Sequence, residues 1–140
     1  MDWRRNLLWI DGFAGASVGV AMLVASVWLA EWYRLPYGFV LFVGAVNLAY
    51  GGYSLTLARR ATRPMGFIVF LVTANLTWAV LCAWWVLTYW TTASPLGLLH
   101  LAAEGVFVGG LAILEWRARD LLQTGASRSA ETSRSAETQV

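Results

Sequence analysis

The chain has 140 residues, 59% hydrophobic and 13% charged, where an ordinary soluble domain has ~45–50% and ~25%. That balance excludes a soluble enzyme, a nucleic-acid binder and a disulfide scaffold, because long apolar runs leave only short connections and a tail for chemistry in water. All ten basic residues behind the net charge of +2 are arginine, and Cys82 is the one cysteine. A Schiff base to retinal or pyridoxal phosphate therefore has no lysine to form on, and a thiol oxidoreductase has no intrachain cysteine pair.

The first apolar run follows Arg4 and Arg5. It is expected to be a retained span over about 9–31 rather than a cleaved leader, since no small-x-small cleavage site precedes a soluble domain. Within it Gly15 and Gly19 have the GxxxG spacing that lets two helix backbones approach closely in lipid. A second span is expected over 37–58 behind Pro36, with Gly44, Asn47, Gly51 and Ser54 on a small and polar face. The third, over about 65–90 behind Pro64, places Asn75, Trp78, Cys82 and Trp85 on one stripe. The fourth, over about 96–116 behind Pro95, carries His100 and Glu104 on one face and Ala102, Gly105, Gly109 and Ala112 on a small-residue stripe. Each run is long enough to cross ~30 Å of hydrocarbon. The prolines stand where a helix's first turn has unpaired donors and a missing N–H costs nothing.

Short connections make successive helices antiparallel neighbours. Arg4, Arg5, Arg59, Arg60, Arg63, Arg117 and Arg119 lie on one side of this arrangement and only Arg34 on the other. The expectation is an all-α polytopic membrane protein, an antiparallel four-helix bundle over 1–122 with both termini cytoplasmic. Trp28, Trp32, Tyr33, Tyr37, Tyr89 and Trp90 would form the outer aromatic belt, and Trp3, Trp9 and Trp116 the inner one. Trp78, near mid-span, is expected to pack.

The tail over 123–140 repeats Ser-Arg-Ser-Ala-Glu-Thr from Ser127 and again from Ser133, and is expected to be disordered. Its ending at Val140 has the form of a PDZ ligand. That signal is too short to carry a partner, and no such contact is expected.

Chemistry at membrane depth rests on few side chains. Asn47 and Asn75 each lie ~15 Å along their spans, near the midplane, and Glu104 about 12 Å along its own. His100, Glu104, Asn47 and Asn75 could therefore meet as a ligand or proton site, since intramembrane ionisable groups are expensive and face a cavity or a partner. The bland role is interhelical glue at ~0.6–2 kcal/mol per contact. Asp11 and Glu115, at the inner boundary, are expected to pair with Arg59, Arg60 or Arg117. A metal site within one chain lacks ligands, a bis-histidine haem lacks a second histidine unless two subunits each supply one, and the sequence leaves any cofactor unspecified. No GxSxG elbow or phosphate-cradling loop is present.

Small multidrug transporters are similar in being short four-helix chains with a membrane glutamate. Here the glutamate is in the last span rather than the first, and the arginine bias opposes dual insertion, so the likeness stops at architecture. Two functions stand first, ahead of a membrane enzyme of redox or lipid-directed chemistry that the sequence does not specify. One is an accessory or scaffold subunit working through helix association with other membrane proteins or as a homo-oligomer, with Gly15, Gly19, Gly44, Gly51, Gly105 and Gly109 as packing positions. The other is a proton-coupled small-molecule carrier or ligand-binding protein using His100, Glu104, Asn47 and Asn75. The bilayer expected is a bacterial inner membrane, with no nucleic-acid partner.

Overall fold

The structure, a computed structural model, describes residues 6–60 and 63–123. The expectations placed on Trp3, Arg4, Arg5, the repeated hexapeptide and Val140 lie outside the described residues. Among the described residues six helices follow in order: α1 Leu7–Val24, α2 Ser26–Tyr33, α3 Tyr37–Ala58, α4 Met65–Thr88, α5 Pro95–Arg117 and α6 Arg119–Gln123. Among the described residues there is no strand. α1, α3, α4 and α5, of 18, 22, 24 and 23 residues, are long and apolar enough to cross a membrane. Helices suit that solvent because every backbone donor in mid-span finds its acceptor within the same segment.

The helix ends follow their punctuation. Pro36 and Pro64 stand just ahead of α3 and α4 in extended conformation, and their carbonyls accept from Phe39 and Phe67 at 2.9 and 3.0 Å. Pro95 is the first residue of α5, where Ser94 caps the helix by accepting from the Gly97 N–H at 3.1 Å. The first apolar run divides between α1 and α2 at Ala25 (φ −96°, ψ 15°). The Ala25 N–H still reaches the Ala21 carbonyl and the Leu29 N–H the Ala25 carbonyl, both at 2.9 Å, so the break leaves neither donor unpaired. α2 ends on Arg34, in the left-handed region at φ 53°.

Packing divides the bundle into two tight pairs. α1 lies against α3 with backbone touching backbone: a methyl added at Gly19 would stand 2.5 Å from the Leu48 nitrogen and 2.8 Å from the Gly44 oxygen. α5 lies against α4 through Gly105, whose added methyl would be 2.9 Å from the Cys82 Cβ, and Gly109, which faces Ala79. Small residues permit this approach where lipid supplies no hydrophobic drive between helices.

Rings, not backbones, bridge the side where α3 faces α4. Phe39 meets Trp85 edge-on at 4.9 Å, Phe42 meets Trp78 at 6.2 Å, and Tyr53 meets Phe70 at 5.3 Å. Each end of the bundle has an apolar cluster, one built from Leu7, Leu8, Leu57, Ile68, Leu71 and Leu122, the other from Met22, Tyr33, Leu35, Val40, Val43 and Leu101.

Two side chains tie the pairs together at the ends. Ser94 donates from its hydroxyl to the Trp32 carbonyl at 2.6 Å and from its N–H to the Tyr33 carbonyl at 2.8 Å, fastening the start of α5 to the end of α2. At the other end the Arg63 guanidinium donates to the carbonyls of Leu57, Ala58 and Leu122 at 3.0, 2.7 and 3.0 Å. It thus caps α3, whose last carbonyls have no helical partner, and holds α6 to it. Burial lowers the Arg63 pKa from its ordinary value.

Candidate functional site

The face of α3 that carries Val40, Val43, Gly44, Asn47, Gly51 and Ser54 is buried. Its helical spacing brings the Asn47 amide inside the bundle, where it donates to the Val43 carbonyl at 3.1 Å and to Glu104 Oε1 at 2.6 Å. The Trp78 Nε1–H of α4 donates to the same oxygen at 2.7 Å. His100, one turn before Glu104 on α5, places Nε2 3.4 Å from Oε2 and stacks on the Tyr33 ring at 5.2 Å. The 3.4 Å approach is within ion-pair range but lacks hydrogen-bond alignment, leaving both atoms without a hydrogen-bond partner. Oε1 thus accepts two bonds from neutral N–H donors, which fills both of its lone pairs whether the carboxyl is ionised or neutral.

Three of the four residues expected to gather do so: His100, Glu104 and Asn47. Asn75 does not join them. It donates to Glu115 Oε2 at 3.2 Å, about 16 Å along α5 from Glu104 by helical rise.

Asp11 and Glu115 do not pair with Arg59, Arg60 or Arg117 as expected; among the described residues neither carboxyl has an arginine within ion-pair distance. They are 2% and 0% exposed, with Asp11 accepting from the Tyr50 hydroxyl at 2.7 Å. The arginines are spent elsewhere: Arg60 lies over the Phe67 ring at 5.1 Å, and Arg63 binds carbonyls. Ser54, beside this group, donates to the Leu8 carbonyl at 3.0 Å.

Two clefts open on the loosely packed sides. One, of about 320 Å³, lies between α1 and α5 and is lined by Asp11, Asn47, Tyr50, His100, Glu104 and Phe107 among others. The other, of about 340 Å³, lies between α3 and α4 and is lined by Asn47, Tyr50, Phe70, Asn75 and Trp78 among others. Asn47, Tyr50 and Val108 line both. Among the described residues no three His, Cys, Asp or Glu side chains gather as a metal site would require.

Trp78, Tyr50 and the buried roles of Asp11 and Glu115 are the parts that sequence reasoning missed. Tyr50 is one turn from Asn47 and Ser54 on α3, and Trp78 one turn from Asn75 on α4, so helical spacing from the asparagines was the available signal. Tyr33, expected at the aromatic belt, is buried at 8% exposure against His100. No protein-family model, curated protein or solved structure matches this chain.

Proposed function

We propose that the chain is a proton-coupled carrier or binder of a small ligand. It would be inserted as an antiparallel four-helix bundle with both termini on the cytoplasmic side of a bacterial inner membrane. The observation that carries this reading is Glu104: a carboxylate held by donors from α3 and α4, at the wall of a cleft between α1 and α5. Such a group is expensive to insert, and the open cleft beside it gives that cost a use. The cleft's ionisable lining is Asp11, Tyr50, His100 and Glu104, and its walls include Ala14, Val18 and Phe107. Acidic groups among apolar and aromatic walls favour a small amphipathic cation, attracted by charge and by ring faces.

Equilibrium binding of benzyltrimethylammonium to the purified full chain tests the reading. Binding that weakens at least about tenfold in Glu104→Gln, equivalent to ~1.4 kcal/mol, is the expected result. Equal binding by both proteins, or none by either, removes it.

A second reading, an accessory or scaffold subunit, draws on a different surface. The stripes of Gly15, Gly19, Gly44 and Gly51 and of Gly105 and Gly109 are occupied by helices of the same chain. Ala45, Ala49, Gly52 and Thr56 are exposed along α3 at helical spacing, and a methyl at Gly52 would meet nothing within 4 Å. That face suits a partner helix. Stoichiometric foreign chains in native mass spectrometry of the gently released protein would favour this second reading, and a homo-oligomer retaining a small molecule the first.

A further inference from the structure

The interior holds a second acidic group that, unlike Glu104, has neither two N–H donors on one oxygen nor a histidine beside it. Asp11 of α1 and Glu115 of α5 are both fully enclosed, and the side chains that donate to them, Tyr50 and Asn75, line one cleft. Neutral donors reach only part of the pair: the Tyr50 hydroxyl of α3 binds Asp11 Oδ2, and the Asn75 amide binds Glu115 Oε2. Glu115 Oε1 is buried and has no partner. α6, packed at this end through Leu122, carries Arg119 and Asp120, which lie 3.9 Å from each other. α1 supplies Asp11, α3 supplies Tyr50 and Ser54, α4 supplies Asn75 and has no charged residue, and α5 supplies Glu115 with Glu104 three turns away. No cation faces the pair among the described residues, and Arg63, at that end, donates to three carbonyls.

Two carboxylates enclosed together without a cation carry a desolvation and repulsion cost that a single proton removes. Glu115 Oε1 and Glu104 Oε2 are both buried without a hydrogen-bond partner, but His100 Nε2 stands 3.4 Å from the latter, whereas among the described residues no comparable nitrogen approaches Glu115 Oε1. We propose that Asp11 and Glu115 hold one proton between them, and that this pair, rather than Glu104, is where a coupled proton resides. The pair is placed to exchange it. Asp11 lines the same cleft as Glu104, while Glu115 stands behind it against the apolar cluster that includes Leu111, Ala112 and Ala118. A cation arriving in that cleft would favour the doubly ionised pair, and the proton would leave from the Asp11 side into cleft water. The coupling rests on the carrier reading above; the shared proton does not.

Infrared spectroscopy of the full chain in lipid bilayers tests the proton directly. The wild type at neutral pH should show a protonated-carboxyl C=O band that shifts in D₂O, and Glu104→Gln should keep it. Asp11→Asn and Glu115→Gln should each lose it, because the introduced amide supplies the hydrogen that the proton supplied. The amide also satisfies the site, so both variants should remain folded by circular dichroism. A band missing from the wild type, surviving in both pair variants or vanishing in Glu104→Gln overturns the assignment. So does a wild-type band abolished by sodium chloride at constant pH, which would make the pair a metal-cation site. In unbuffered solution with a pH indicator, benzyltrimethylammonium should release a proton from the wild type and none from Glu115→Gln. A normal band without binding of the probe would remove the carrier reading and leave the shared proton standing.

Discussion

Gly51 and Gly52 are neighbours on α3 with opposite surroundings, and that contrast makes a quantitative test of how α1 and α3 pack. A methyl at Gly51 would collide with the Ala16 nitrogen and stand 2.8 Å from the Gly12 oxygen, whereas one at Gly52 would meet nothing within 4 Å. Against the Gly12 oxygen it falls about 0.6 Å short of the 3.4 Å at which ordinary contact begins, and the obstructing atoms are backbone. No side-chain rotation relieves that, so α1 and α3 must separate, and the close approaches at Gly15 and Gly19 loosen with them. Overpacking of this kind costs ~1–3 kcal/mol. The helix-propensity gain of alanine over glycine, about 1 kcal/mol in water, is the same at both positions and cancels in their difference. Gly51→Ala should therefore be less stable than Gly52→Ala by about 2 kcal/mol, the middle of that range, or ~30-fold in the folded-to-unfolded ratio. Reversible unfolding of the full chain in mixed micelles, followed by circular dichroism, measures the difference. Coincident unfolding curves for the two variants would refute the backbone-to-backbone packing of α1 on α3.

Trp78→Phe keeps a ring among Phe42 and Trp85 but deletes one donor to Glu104; the same unfolding assay should show a loss of about 2 kcal/mol, the scale of a hydrogen bond to a charged group. Because the two residues touch, a double-mutant cycle with Glu104→Gln should give a coupling of at least ~0.5 kcal/mol, and strict additivity would contradict the bond. Arg63→Lys retains the charge but not the planar fork that reaches Leu57, Ala58 and Leu122. Amide hydrogen exchange over 119–123 should quicken about tenfold or more, the effect of losing ~1.4 kcal/mol or more of local stability; unchanged protection would show that Arg63 does not hold α6. Reporter fusions at Thr92 and Thr124 should read outside and cytoplasmic respectively, and a cytoplasmic Thr92 would reverse the proposed orientation.

The long helices were legible because each needs only an uninterrupted apolar run and a proline or short connection to end it. Tyr37–Ala58 shows this most plainly, since Pro36 and Arg59 bracket it in the sequence. The break at Ala25 was not, because neither proline nor glycine marks it. Glu104, His100 and Asn47 stood out through the cost of placing polar groups in hydrocarbon. Asn75 was put in the wrong company because counting residues along a helix gives depth but not rotation or tilt. The same gap hid Asp11 and Glu115: their depth matched the arginines, but their helix faces turn inward. Trp78 and Tyr50 concealed a donor within a residue type that usually packs or anchors, and only the three-dimensional partner separates those roles.

The two clefts share Asn47, Tyr50 and Val108 and lie on opposite sides of them. Each tight helix pair has the shape of a plank, and the planks meet along the line that these residues occupy, with Ser94 and Arg63 as ties at the ends. The easiest relative motion of two planks so tethered is a roll about their line of contact. Under the carrier reading, such a roll would widen one opening as it narrowed the other, like a rocker switch. The side chains at the fulcrum are those that hold Glu104 and Asp11, which puts the two carboxyl groups at the point where the motion is felt by both openings.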